Sequence, residues 1–114
     1  MPHKDNQQRL CHMLDAAEEL QQFTRGKTYD DLLAERGLQH ICLHCLLILG
    51  EAANAVASDF QAAHPEIPWR PIIAMRHRLI HGYFAVELSV VWDTITQNIP
   101  PLLTHLRALL AEEL

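Results

Sequence analysis

The chain predicts an all-α fold, a small antiparallel bundle of four to five helices. Three observations carry that expectation. Apolar residues recur at helical spacing along nearly the whole length. Glycines number only four and β-branched runs are few, which argues against an all-β fold. Apolar residues make up 49% of 114 residues, which supplies a core and excludes a disordered chain. A chain of this size is expected to be one domain, residues 1–114. It should bury roughly 60–70% of its unfolded surface.

The elements follow in order. From Leu10, apolar positions recur at Met13, Leu14, Ala17, Leu20 and Phe23, with Glu18, Glu19, Gln21 and Gln22 on the opposite face. Gly26 is the expected stop. Thr28-Tyr29-Asp30-Asp31 resembles a capping box with Asp in place of the usual Glu, opening a short helix to about Arg36, before Gly37. Leu38 to Phe60 has no proline and is apolar on most sides, so it reads as one long, largely buried helix. His64 to Pro71 holds three prolines, which remove donors and fix φ, so it is a turn-rich connector. A helix from about Trp69 or Pro71 follows, with Gly82 marking its end. Glu87 to Leu114 is again helical, with a stripe through Leu88, Val91, Trp92, Ile95, Ile99, Leu102 and beyond. Pro100 and Pro101 should kink or interrupt it.

Chemistry concentrates in Met75-Arg76-His77-Arg78-Leu79-Ile80-His81-Gly82-Tyr83-Phe84. Arg76 can clamp a phosphate or carboxylate through its planar fork of donors. His81 can exchange a proton near neutral pH. Tyr83 adds a hydroxyl. No acid occurs between Glu66 and Glu87, while Arg70, Arg76 and Arg78 all lie there, in a chain whose net charge is −5. A phosphate-bearing ligand is the natural explanation for such a local excess of cations. His77 and His81 are four apart and share a helix face, and Arg76 and Tyr83, seven apart, nearly do. Arg76 and His81 are five apart, about 140° around an ideal helix. A shared site would therefore need a helix end at Gly82 or a second copy of the chain. The plainer alternative has His77 and Arg78 solvated and Leu79, Ile80 and Phe84 in the core.

Other classes are disfavoured. The cysteines are three, an odd number, and Pro2-His3-Lys4-Asp5-Asn6 is polar, unlike a secretory signal. A disulfide framework is not expected and a cytoplasmic location is. The apolar run around Cys45 to Leu49 is far too short to span a membrane.

The segment from Pro65 through Phe84 closely resembles the HepT-like branch of the HEPN ribonuclease toxins. Its Arg-x4-His-x-Tyr motif is present as Arg76, His81 and Tyr83. Ile48-Leu49-Gly50-Glu51-Ala52-Ala53 looks like that family's Gly-Glu-Ala stretch. Val91-Trp92 and Pro100-Pro101-Leu102 look like its last helix, and Phe23-Thr24-Arg25-Gly26-Lys27 fits the end of its first. Most relatives carry Asn where this chain has His77, and many carry Arg where it has His44.

The resemblance implies a HEPN-like helical bundle, active as a homodimer. It implies a metal-independent endoribonuclease toxin acting on tRNA or mRNA, with no cofactor, no DNA target and no membrane partner. The catalytic residues would be Arg76 and His81, with His77 in support. The partner would be an MntA-like nucleotidyltransferase antitoxin that adenylylates Tyr83.

Two alternatives come from other classes. His40/His44, His77/His81 and Cys42-Leu43-His44-Cys45 make a metal-binding bundle conceivable. Against it, Cys42 and Cys45 sit in an apolar helical run, where free Cys is a small hydrophobe. A catalytically inactive helical partner of a nucleotidyltransferase is the other; such a scaffold has no need of Arg76, His81 and Tyr83 together.

Overall fold

The computed structural model describes residues 2–82 and 87–113; Tyr83, Phe84 and Leu114 are outside them. Among the described residues every regular element is helical: α1 (Pro2–Thr24), α2 (Tyr29–Ala34), α3 (Arg36–Ala55), α4 (Ser58–Ala63), α5 (Trp69–Gly82), α6 (Leu88–Asp93) and α7 (Ile99–Glu113). A π-helical turn over Thr94–Asn98 joins α6 to α7, making one C-terminal rod. The long elements pack in the order α5, α3, α1, α7, with α3 and α1 in the middle. Leu10, Met13 and Leu20 of α1, Leu46 and Leu49 of α3, and Leu102 and Leu106 of α7 are fully buried between them. The all-α expectation holds.

Local sequence explains most boundaries. Gly26 ends the first hairpin arm at φ 75°, a left-handed conformation that a side chain would disfavour. The capping box is formed: Asp31 N–H donates to Thr28 Oγ1 at 3.2 Å, and Thr28 N–H donates to Asp31 Oδ2 at 2.9 Å. The bond from the Thr28 N–H leads in holding the Asp31 carboxyl below its ordinary value.

Two boundaries differ from the sequence expectation. The break after α2 falls at Glu35, not at Gly37; Glu35 is extended at φ −103°, ψ 103°, and Gly37 lies in the first turn of α3. Gln39 Nε2 reaches back to the carbonyls of Leu32 and Leu33, at 3.0 and 3.2 Å, and so closes the end of α2 from inside the next helix.

The long helix expected to reach Phe60 ends at Ala55, with Val56 at ψ 137°. Three side-chain bonds compensate this break. Ala57 N–H donates to Oδ1 of the buried Asn6 at 3.1 Å, and Gln61 Nε2 donates to the carbonyls of Ala53 and Val56 at 3.0 and 3.1 Å. Asn6 comes from the far end of the chain, so no local pattern foretells it.

Pro100 and Pro101 interrupt regular α-helix as expected, through a π-helical turn immediately before them. They occupy the first turn of α7, where a missing N–H costs little. The preceding turn widens, and Ile99 N–H donates to the Thr94 carbonyl five residues back. Thr94 and Thr96 hydroxyls donate to the Val90 and Trp92 carbonyls, each at 2.9 Å.

The tightest approach is between α3 and α5. A Cβ built on Gly50 would collide with Arg76 Cβ, and would lie 3.1 Å from the Ile72 carbonyl oxygen and 3.3 Å from Arg76 Cα. Glycine is required there by its partner's backbone. Gly50→Ala should therefore destabilise the fold by about 1–3 kcal/mol, as overpacking does. A free helix position would instead gain roughly 0.5–1 kcal/mol from the same change. Chemical denaturation followed by circular dichroism reads the sign. A variant as stable as the parent would mean that α5 does not seat on Gly50.

Candidate functional site

Arg76 sits where α5 crosses Gly50. Its backbone is pressed against α3, its side chain is half-buried, and its Nε is buried with no hydrogen-bond partner among the described residues. An unmatched buried donor costs about 1–3 kcal/mol. Such a group in a native fold calls for an explanation, and an anion is the partner a guanidinium accepts most readily.

His77 and His81 stand on another face of α5. Both are exposed, and their rings lie 4.3 Å apart between centroids with planes inclined at 50°. The helix runs unbroken through Arg76 and His81 to Gly82, the last described residue before position 87. Regular helix thus places these two residues about 140° apart. The structure brings the two histidines together and keeps Arg76 apart from them within one chain. Tyr83, the expected modification site, is outside the described residues; in sequence it follows the last residue of α5 directly.

The cysteines contribute packing. Cys42 and Cys45 are buried, and burial pushes their thiols up to about 11 and about 12 respectively. Cys45 is raised further by Glu19, to which its Sγ donates at 3.6 Å. His40 and His44, on the same helix, are exposed, and among the described residues no three His, Cys, Asp or Glu gather as a metal-ligand set.

Two features escaped the sequence. The role of Gly50 as the seat of Arg76 had a visible signal, a glycine in the middle of a buried helix, but its partner did not. A groove of about 1060 Å³ also lies between the proline-rich connector, α4 and the near half of α5. It depends on the break at Val56, which local pattern does not show.

A family model, Ribonuclease HepT-like, matches residues 13–109. The chain belongs to the HepT-like family. One relative, named as a probable ribonuclease HepT, from Thermococcus cleftensis, is 40% identical over 88% of this chain and 88% of its own length. A candidate RNase of Caldanaerobacter subterraneus subsp. tengcongensis is 33% identical over 91% of this chain and 93% of its own. A candidate RNase of Methanocaldococcus jannaschii is 30% identical over 88% and 83%. The comparison with solved structures returns no match. The matched span contains α2 to α6 whole, about half of α1 and most of α7, and it includes Arg76, His77 and His81.

Thiol reactivity checks the packing around this site. Cys11 is exposed, whereas the raised thiols of Cys42 and Cys45 hold almost no thiolate at neutral pH. Iodoacetamide at pH 7.5 should add one group to the native protein, at Cys11, and three after denaturation. Native labelling of Cys42 or Cys45 would contradict the burial described.

Proposed function

We propose that this chain is a metal-independent endoribonuclease, the toxin of a toxin–antitoxin pair, acting as a homodimer. The observation that carries the reading is Arg76, an arginine held by a helix crossing with a buried donor left unmatched, on the same helix as a pair of adjacent imidazoles. The relatives' names support the same class of chemistry.

Cleavage without a metal uses the RNA 2′-hydroxyl as nucleophile. His81 accepts the 2′-OH proton as that oxygen attacks phosphorus, and the 5′-oxygen leaves with a proton from His77. Arg76 meets the charge that builds on the phosphoryl oxygens. The products are a 2′,3′-cyclic phosphate and a 5′-hydroxyl.

Arg76 and His81 diverge on one helix, so the reacting phosphate is held by Arg76 of one copy and His81 of the other. Exposed apolar surface supports this. Ile80, four residues after Arg76 on the same side of α5, is 47% exposed, and Ile48, near the crossing on α3, is 38% exposed.

The purified protein should cleave RNA in excess EDTA and leave cyclic-phosphate ends. Arg76→Ala and His81→Ala should each lower the rate at least ~100-fold. Mixing the two variants should restore activity, to about a quarter of the parent's, because half the mixed dimers' sites are whole when sites are shared across a two-fold axis. Cleavage that needs a divalent ion would overturn the chemistry, and mixed variants that stay inactive would overturn the shared site. A protein that cleaves nothing would instead be a helical binding partner.

Tyr83 is the regulatory site in this proposal, adenylylated with ATP by an MntA-like nucleotidyltransferase. A nucleotide attached two residues from His81 adds negative charge and bulk where the RNA phosphate must sit. Intact mass after co-expression should rise by one or more adenylyl groups, and not in Tyr83→Phe. That variant should keep cleaving RNA but ignore the antitoxin. An unmodified parent that is still neutralised would mean that simple binding suffices.

A further inference from the structure

The groove beside α5 has a chemistry of its own. Its floor is apolar and stiff: Pro65, Pro68 and Pro71 fix the backbone, and Ile73 and Ala74 line the helix side. Trp69 anchors the connector, its Nε1 donating to the His64 carbonyl at 2.9 Å. Across the groove stand Ser58, Gln61 and Ala62 of α4 and its flank.

The charges along it have one sign. Arg70, Arg78 and His77 line the groove, and no acid is among the described residues that do. Glu66, the acid nearest in sequence to Arg70, is turned to His64, whose Nδ1 lies 3.2 Å from its Oε1. Arg70 and Arg78 are both exposed and neither has a salt-bridge partner among the described residues. In a chain of net charge −5 this is an unusual run of unmatched cations.

The groove also has a direction. Seven and eleven residues separate Arg70 from His77 and His81, so all three fall within about 20° of one line along α5. His77 belongs both to the groove and to the tilted histidine pair. A strand lying in the groove would run straight to His81.

We propose that this groove binds the nucleotide of single-stranded RNA that flanks the cleaved bond. Its base lies on the proline floor, and Arg70 and Arg78 hold the adjoining phosphates. Apolar platforms bordered by cations take single strands in this way, with the floor binding bases of any sequence and the cations tracking the backbone. The prolines keep the floor in place before the strand arrives, so little ordering is lost on binding. This inference rests on the ribonuclease reading above and extends it from the reacting phosphate to its neighbour.

The test uses the full-length protein and a fluorescein-labelled 12-mer of 2′-O-methyl oligouridylate. That probe lacks the attacking hydroxyl, so binding is read by anisotropy without cleavage. Arg70→Ala and Arg78→Ala should each weaken binding about 5- to 10-fold at low salt and lower the salt slope by about 0.7, the value for one phosphate contact on a single strand. Ala74→Trp, which pushes an indole into the groove and leaves every charge in place, should weaken binding comparably. Arg36→Ala, an equal charge removed from the start of α3, should leave the slope unchanged. Cleavage of ordinary RNA should show the groove variants raising KM more than they lower kcat.

Two results would overturn the groove while leaving the nuclease standing. In one, the parent cleaves RNA and all three groove variants bind the probe as it does. In the other, the variants bind RNA normally and lose only the antitoxin, which would make the groove a protein-docking surface. A parent that neither cleaves RNA nor binds the probe would take down the ribonuclease reading and the groove with it.

Discussion

The contact on which the rest depends is the crossing of α3 and α5 at Gly50. Backbone meets backbone there, with the Ile72 carbonyl and Arg76 Cα inside the space a side chain would need. This approach fixes α5 in rotation as well as position. Met75 and Leu79 then point into the core, Arg76 lies along α3, and the His77–His81 pair and Arg70 are left outside. The separation of Arg76 from the histidines and Arg70 on α5 therefore follows from one missing Cβ.

Much of the fold was legible in the chain because it rests on periodic burial. The stripes of α1, α3 and α7 sit where their spacing places them, and the Thr28–Asp31 capping box forms from the residues that signal it. Breaks were harder to see, except the one that Pro100 and Pro101 signal. At Glu35, at Val56 and before Pro100, the chain departs from regular helix because particular side chains satisfy the freed backbone groups. Those side chains are Gln39, Asn6 with Gln61, and Thr94 with Thr96. Propensity describes a residue's preference for its own backbone; it is silent on an acceptor arriving from 51 positions away.

The candidate site was legible in composition and only partly in geometry. The clustering of Arg76, His77 and His81 and their angular separation on one helix were present in their spacing. The seat of Arg76, its unmatched Nε and the groove on the histidine side depend on how α5 meets α3 and α4, which spacing does not encode.

The hydrogen bond from Ala57 N–H to Asn6 carries a consequence for the order of assembly. It joins residues 51 apart, whereas α1 and α3 can pair as a hairpin through the short α2. Non-local contacts must first overcome the entropy of closing their loops. The α1–α3 pair thus forms early, and α4 takes its place only once the first turns of α1 are docked. The far wall of the groove thus becomes defined only when the first turns of α1 are in place, so the two ends of residues 6–57 must meet before the proposed strand-binding face exists.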